Sequence, residues 1–441
     1  MMLYDIGFAI FSLFYLPTLI FKGKLHGDFL ERFGRYDNAK RSALANAKGA
    51  IWIQAVSVGE VALCRDFVPA LKTKFPGRTI IFSTITKAGN DMAKRLFQKD
   101  AIIIYFPLDF SFIVKKAIKL ARPKVYVMVE TEIWPNFLKE IERNAIAAIL
   151  INGRISDRSI GKYRLAKPFL RKILRNMNIL CMQSRIDADR IIGLGARPDR
   201  VKVTGNMKFD IHIKASRLSV AEIMGQLGLK EGDELLVAGS THPGEEEEII
   251  GAYKELTQKF PRLKLLIAPR HIERSDEVAA IVKKLGFEPI LLSILSVPCT
   301  LRPACPAGGS VGGEPCVYIL DTIGRLNDFY SIASVVFIGG SLIKHGGQNP
   351  IEPAVYGKPV IFGRYMFNFK NAAEAFLAKG AAIRVDSGSE LIPILHNLLA
   401  DKSKRSEMGA MAERVVVENG GATDRNLDCF SAFGLLAMTG K

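Results

Sequence analysis

The sequence predicts an α/β protein built from two Rossmann-like halves that face one another across a central cleft, preceded by an N-terminal hydrophobic anchor helix. Three observations carry this. Near-continuous Val/Ile/Leu runs recur along the chain, each followed by a helix-length amphipathic segment, as a parallel sheet covered on both faces requires. The alternation loosens into a polar connection around Gly205–Leu218 and then resumes. The chain also opens on an apolar stretch, MMLYDIGFAIFSLFYLPTLIF, followed at once by Lys22 and Lys24.

In the first half the strand-like runs are Ile51–Ala55, Thr79–Ser83, Ile102–Tyr105, Val125–Val129, Ala147–Ile151 and Ile179–Met182. In the second they are Leu235–Ala238, Lys264–Ala268, Pro289–Leu292, Val317–Leu320, Val335–Ile338 and Val360–Phe362. The expected division is an anchor over residues 1–24, halves over 25–212 and 213–410, and a C-terminal helix over 411–441 that packs back towards the first half. Ser296–Cys316, dense in Pro and Gly, predicts an exposed loop. In doubly wound sheets ligands sit at the carboxyl ends of strands, so functional residues are expected immediately after them.

The apolar opening has about the length that spans a bilayer, which takes roughly 20 residues, and no cleavage site follows it. Lysines on its carboxyl side place the rest of the chain in the cytoplasm. Asp5 and Pro17 interrupt it, so a helix lying in the interface and a buried N-terminal helix stand as the competing readings. With 61 Lys+Arg against 44 Asp+Glu the chain carries a formal charge of +17. Such a surplus favours polyanionic partners, whether nucleic acid, anionic membrane or phosphorylated small molecules. Apolar residues at 49% exclude a disordered tail protein, and charged residues at 24% exclude a polytopic membrane protein. Cys64, Cys181, Cys299, Cys305, Cys316 and Cys429 form no C-x-x-C pair, so neither a disulfide framework nor a zinc site is indicated.

Acidic residues follow two strands of the first half. Ser57-Val58-Gly59-Glu60 opens a helix, where Glu60 reads equally as complementing the helix dipole and as a catalytic carboxylate. Glu130 and Glu132 end the hydrophobic strand Val125–Val129, where an acid is costly to bury without a partner or a task. On neighbouring strand ends, Glu60 and Glu130 suit proton abstraction from a hydroxyl together with charge stabilisation. In the second half, the loop Gly239-Ser240-Thr241-His242-Pro243-Gly244 offers Ser240 and Thr241 as a phosphate cradle, weaker than a P-loop because no Gly-Lys-Ser/Thr follows. Arg270, after Pro269, suits a phosphate contact. Gly339-Gly340-Ser341 and then Gly346-Gly347-Gln348-Asn349-Pro350-Ile351-Glu352 bring glycines that allow close approach, Asn349 as a cap and Glu352 as an acceptor for two ribose hydroxyls. Dipole complementation is the alternative for Glu352, and no G-x-G-x-x-G follows the first strand of either half.

Asp187-Ala188-Asp189 formally matches a metal-binding D-x-D, but its place on the first turn of a helix after Ser184 makes it a helix start. The basic stretch Arg154–Arg175 carries Arg164, Lys167, Arg171 and Arg175 at helical spacing, with Leu165, Phe169, Leu170, Ile173 and Leu174 between them. It reads as a solvated amphipathic face, or as a site for anionic headgroups or a phosphorylated acceptor, and not as a nucleic-acid groove.

Taken in order, SVGE, FPLD, VETEIWPN, NGRISDRS, VTGNMKFD, AGSTHPGEEE, PRHIER and GGSLIKHGGQNPIEP resemble the 3-deoxy-D-manno-octulosonic acid (Kdo) transferases of lipopolysaccharide biosynthesis, from about Glu31 to about Asn371. The resemblance implies a GT-B glycosyltransferase, inverting and without catalytic metal or other cofactor. Such an enzyme moves Kdo from CMP-Kdo to a lipid A precursor, lipid IVA, on the cytoplasmic face of the bacterial inner membrane, among anionic lipids and without nucleic acid. It further implies Glu60 as proton acceptor and Glu130 and Lys208 as transition-state stabilisers. Pro269 and Arg270, the turn Ile323-Gly324-Arg325-Leu326, and Asn349-Pro350-Ile351-Glu352 are similar to CMP-binding segments. Lys208 enters only through the resemblance. Gln348 stands where the family pattern has His, Met207 where Leu is commoner, and the Ser296–Cys316 loop is longer than the pattern.

Overall fold

The computed structural model describes residues 4–10, 27–210, 218–295 and 317–432. The chain divides into two compact units, Met1–Asp210 with Gly420–Lys441 and Ile211–Asn419. The sheet of the first unit contains β1 (Ile51–Gln54), β2 (Ile80–Thr84), β3 (Ala101–Tyr105), β4 (Val125–Val129), β5 (Ala147–Gly153), β6 (Ile179–Met182) and β7 (Val201–Val203). It has seven parallel strands in the order β3-β2-β1-β4-β5-β6-β7. Because strand side chains alternate, Trp52, Tyr126 and Met128 enter one core while Ile51, Ile53, Val125 and Val127 enter another. Both faces are therefore covered, which is why these strands read as unbroken apolar runs.

The second unit repeats the plan with β8 (Glu234–Thr241), β9 (Leu263–Pro269), β10 (Pro289–Leu291), β11 (Val317–Ile319), β12 (Val335–Ile338), β13 (Val360–Gly363) and β14 (Ala382–Val385). Its seven parallel strands run β10-β11-β9-β8-β12-β13-β14. In each sheet the first strand has neighbours whose successors leave to opposite sides, β2 and β4 about β1, β9 and β12 about β8. Loops diverge at such a reversal and leave a crevice at the carboxyl ends. Glu60 and Glu130 follow β1 and β4, and His242 follows β8.

The strands β7 and β14 were not foreseen. Both are edges whose runs, Val-Lys-Val and Ala-Ile-Arg-Val, are short and interrupted by a cation because an edge is partly solvated. Residues 204–210 lie in the first unit, inside the expected half 25–212, and Met207–Phe209 form a 3-10 turn there. One boundary does move. The expected C-terminal helix starting at residue 411 is two helices: Lys402–Asn419 lies in the second unit, and Ala422–Ala432 in the first. The latter sinks Ala422, Leu427 and Phe430 into the core beside Val61 and Phe67. Asp210 caps it, accepting from the amides of Gly421 at 2.6 Å and Thr423 at 2.5 Å.

The expected anchor falls mostly on residues outside those described, as does all of the Ser296–Cys316 loop. Among the described residues no helix is long and apolar enough to cross a membrane. Residues 4–10 are helical and dock on the first unit. Asp5, the acid that interrupts the apolar opening, accepts hydrogen bonds from the Ser111 amide at 3.0 Å and from Asn136 Nδ2 at 2.7 Å, and Phe8 packs edge-on against Phe110.

Candidate functional site

In the first unit Glu60 sits on the opening turn of the helix Val58–Lys74 and is 8% exposed. Its Oε2 accepts from the Val56 amide at 2.5 Å and its Oε1 from the Ser57 hydroxyl at 3.2 Å. Burial, helped by the negative charges of Glu130 and Glu132, outweighs those bonds and pushes the carboxyl up to about 8. Glu132 is pushed up to about 6, by burial and by Glu130.

Glu130 adopts a left-handed backbone, φ 56°, directly after β4. That conformation costs an L-residue roughly 1–2 kcal/mol, and such strain collects where a side chain must be aimed. Here the bend is fixed by the Glu130 amide donating to Ile151 O on the adjacent strand. Lys208 reaches the same place by a long route. Asn152, at the end of β5 and also left-handed at φ 52°, accepts the Met207 amide on its Oδ1 at 3.0 Å. Asn206 then caps the turn by accepting the Lys208 amide. Lys208 feels Glu130 and Glu60 as stabilising charges, yet burial prevails and pulls its ammonium below the usual lysine range. A carboxyl poised near neutrality, a second acid and a desolvated lysine can take a proton and neutralise a departing anion.

In the second unit the glycine-rich loop is already filled from within. Glu245, fully buried, accepts the amides of His242 at 3.0 Å, Gly340 at 2.6 Å, Ser341 at 2.9 Å and Leu342 at 3.0 Å. The Thr241 hydroxyl donates to Glu246, which also pairs with Arg274. The Ser341 hydroxyl donates to Ile338 O and accepts from the Gly363 amide. Thr241, offered with Ser240 as a phosphate cradle, thus has its hydroxyl engaged within the protein, and together with Gly340 and Ser341 it braces the loop. Ser240, left-handed at φ 56°, has no side-chain hydrogen bond among the described residues. Gly339 must be glycine because a Cβ there would lie 2.3 Å from Ser240 O.

The other expected contacts lie along the same sheet edge. Arg270 follows β9 with an exposed side chain, and its amide donates to Thr241 O. Asn349 accepts the Ile351 amide and donates to Glu352 Oε1 at 3.2 Å, so the cap is present and one edge of the Glu352 carboxylate is oriented. Pro269 and Pro350 are buried. In the turn, Ile323 is 82% exposed, Gly324 has φ 88°, and Arg325 binds Gln226 and Asp328 ahead of the helix opened by Leu326. His242, absent from the expected site, is nearly buried between β8 and the loop, its ring 3.8 Å from that of His345. Burial and then the neighbouring His345 push it down to about 4, so it is neutral at pH 7.

The D-x-D pair does not converge. Asp187 accepts from the Ile155 amide and the Ser184 hydroxyl, whereas Asp189 pairs with Arg185. The conspicuous FPLD motif is also internal bracing, since Asp109 caps the helix Pro135–Arg143 through the amides of Asn136 and Phe137.

The family model described as 3-Deoxy-D-manno-octulosonic-acid transferase (kdotransferase) matches residues 27–211. A 3-deoxy-D-manno-octulosonic acid transferase of Haemophilus influenzae is 32% identical over 91% of this chain and 90% of its own length. The chain belongs to the 3-deoxy-D-manno-octulosonic acid transferase family. A Bordetella pertussis transferase of the same description is 30% identical over 90% of each chain. The fold is shared more widely: a glycosyltransferase from Rickettsia africae aligns with TM-score 0.57 at 12% identity, covering 89% of this chain and 100% of that one. A UDP-GlcNAc 2-epimerase from Neisseria meningitidis does so with TM-score 0.57 at 12% identity, over 87% of this chain and 100% of the epimerase. Within this family of glycosyltransferases, some of the segments that carried the resemblance, such as FPLD, hold the sheet ends in place.

Proposed function

We propose that this chain transfers Kdo from CMP-Kdo to the lipid A precursor lipid IVA, inverting the anomeric centre and using no catalytic metal. The observation that carries this is Glu60, pushed up to about 8 beside Glu130 and Lys208 at the strand reversal of the first unit. Deprotonated Glu60 takes the proton of an acceptor hydroxyl, whose oxygen attacks the anomeric carbon of Kdo as the bond to the CMP phosphate breaks. A single displacement of this kind inverts configuration. The ammonium of Lys208, oriented by Glu130, neutralises negative charge developing on the phosphate, the part a divalent cation plays elsewhere. Pro269, Arg270, the turn Ile323–Leu326 and Asn349–Glu352 hold the CMP.

The acceptor is anionic and lipidic, and the first unit offers a matching surface. The basic stretch folds as two helices, Asp157–Leu165 and Lys167–Asn176, that leave Leu165 87% and Phe169 51% exposed among Arg164, Lys167 and Arg171. Apolar side chains ringed by cations suit the headgroup region of an inner membrane at its cytoplasmic face, where residues 1–24 would anchor the chain. These anionic partners account for the positive surplus without nucleic acid. The deciding experiment is mass spectrometry of the product formed from CMP-Kdo and lipid IVA. An acceptor heavier by one or more Kdo units is expected from the native protein and none from Glu60→Gln; an unmodified acceptor with the native protein overturns the reading.

A further inference from the structure

We propose that His271, Lys344 and His345, beside the CMP-holding Arg270, form a cradle for the carboxylate of the donor's acidic sugar, seated on the buried ring of His242. The inference rests on the donor reading above and deepens it by naming the group that selects an acidic sugar over a neutral one.

The cradle lies where the second sheet reverses, at the carboxyl ends of the adjacent strands β9, β8 and β12. His242 follows β8, Arg270 and His271 follow β9, and Lys344 and His345 lie in the loop after β12. The His242 ring neighbours both exposed histidines, with centroids 3.8 Å from His345 and 6.1 Å from His271. Its Nε2 meets Gln348 Nε2 at 3.2 Å, an amide that donates to the neutral ring and so keeps it a fixed platform. Gly340 leaves room for it, since a Cβ there would stand 3.2 Å from His242 Cδ2.

Charge at this place is unbalanced. Among the described residues neither Arg270 nor Lys344 has a carboxylate partner, and both are exposed, as are His271 and His345. The nearby acids are committed: Glu245 to four amides, Glu246 and Glu277 to Arg274. Only the exposed Glu273 is left on that turn. A nucleotide-linked 2-ulosonic acid carries two anions on one carbon, the phosphate ester and the carboxylate, whereas a neutral sugar nucleotide carries only the first. The amides that would ordinarily take one of them are occupied by Glu245. With Arg270 given to the CMP, Lys344 and the imidazoles of His271 and His345 supply the second anion site that such a donor needs.

The test compares CMP, which has the phosphate alone, with CMP-Kdo, which has both anions. In the full-length protein, His271→Ala/His345→Ala and, separately, Lys344→Ala are expected to raise the KM for CMP-Kdo roughly tenfold, the worth of a charge-assisted hydrogen bond. Calorimetric affinity for CMP should stay within about twofold, which also reports that the fold is intact. Unchanged KM in both variants overturns the cradle, and so does a parallel loss of CMP and CMP-Kdo binding, which would make it a nucleotide contact. Lack of turnover of CMP-Kdo by the native protein removes the donor reading itself, and the cradle with it; turnover with indifferent variants removes only the cradle.

Discussion

The carboxylate of Glu245 accepts the amide of Gly340 at 2.6 Å, standing where the sequence pattern would place a ligand phosphate. A carboxylate can satisfy four amides on two oxygens, but a glutamine can accept on one only. Glu245→Gln therefore leaves buried amides facing an NH2 group, at about 1–3 kcal/mol for each unsatisfied donor. We expect the melting temperature to fall by several degrees and CMP affinity to weaken, because the same loop continues to Asn349 and Glu352. Differential scanning calorimetry with CMP titration checks this; a variant that melts like the native protein would show that the brace is idle.

The Glu60 carboxyl, pushed up to about 8, must be deprotonated to accept a proton. The rate should therefore climb about tenfold per pH unit below that value and level off above it. Stability runs the other way. A carboxyl whose folded pKa exceeds its unfolded one holds its proton more tightly when folded, so its contribution is full below about 4.5 and is lost as pH rises to about 8. Glu60→Gln should thus melt above the native protein at pH 9 and alongside it at pH 4. A flat kcat/KM profile between pH 6 and 9 would count against Glu60 as the base.

Glu130 holds its side chain at the cost of a left-handed backbone. Asparagine tolerates that conformation better than glutamate does. Glu130→Asn is expected to cut turnover by about a hundredfold or more while leaving the melting temperature unchanged or slightly higher. A marked drop in melting temperature would mean that Glu130 serves the fold.

Leu165 and Phe169 are exposed among cations on the two helices of the basic stretch. Leu165→Asp/Phe169→Asp should weaken binding to vesicles containing anionic lipid and raise the KM for lipid IVA, with CMP affinity unaffected. Sedimentation with phosphatidylglycerol vesicles reads the first effect and steady-state kinetics the second. Equal sedimentation of variant and native protein would return these side chains to an ordinary solvent face.

The sheets were legible because a strand buried on both faces writes itself as an apolar run, as in Val125–Val129. The places of the candidate residues Glu60 and Glu130 were legible because in such sheets ligands sit at the strand ends, directly after these runs. Lys208 was not, since its place near Glu130 depends on long-range contacts such as the Asn152 to Met207 bond, 55 positions apart. The part played by Glu245 was hidden for a related reason: three of the four amides it binds lie 95 or more positions further on. The break at Ala166–Lys167 was likewise hidden, because charges at helical spacing continue across it.

The helix Ala422–Ala432 has a consequence for how the chain is made. It completes the core of the first unit, Phe430 lying 5.8 Å from Phe67, and its cap on Asp210 joins residues 213 positions apart. A growing chain that has finished β7 still lacks the last face of that core. The whole second unit must leave the ribosome before the first can close. Until then the part of the core that Ala422, Leu427 and Phe430 fill stays open, so a protease cutting after Asn419 would damage the half of the protein that was translated first.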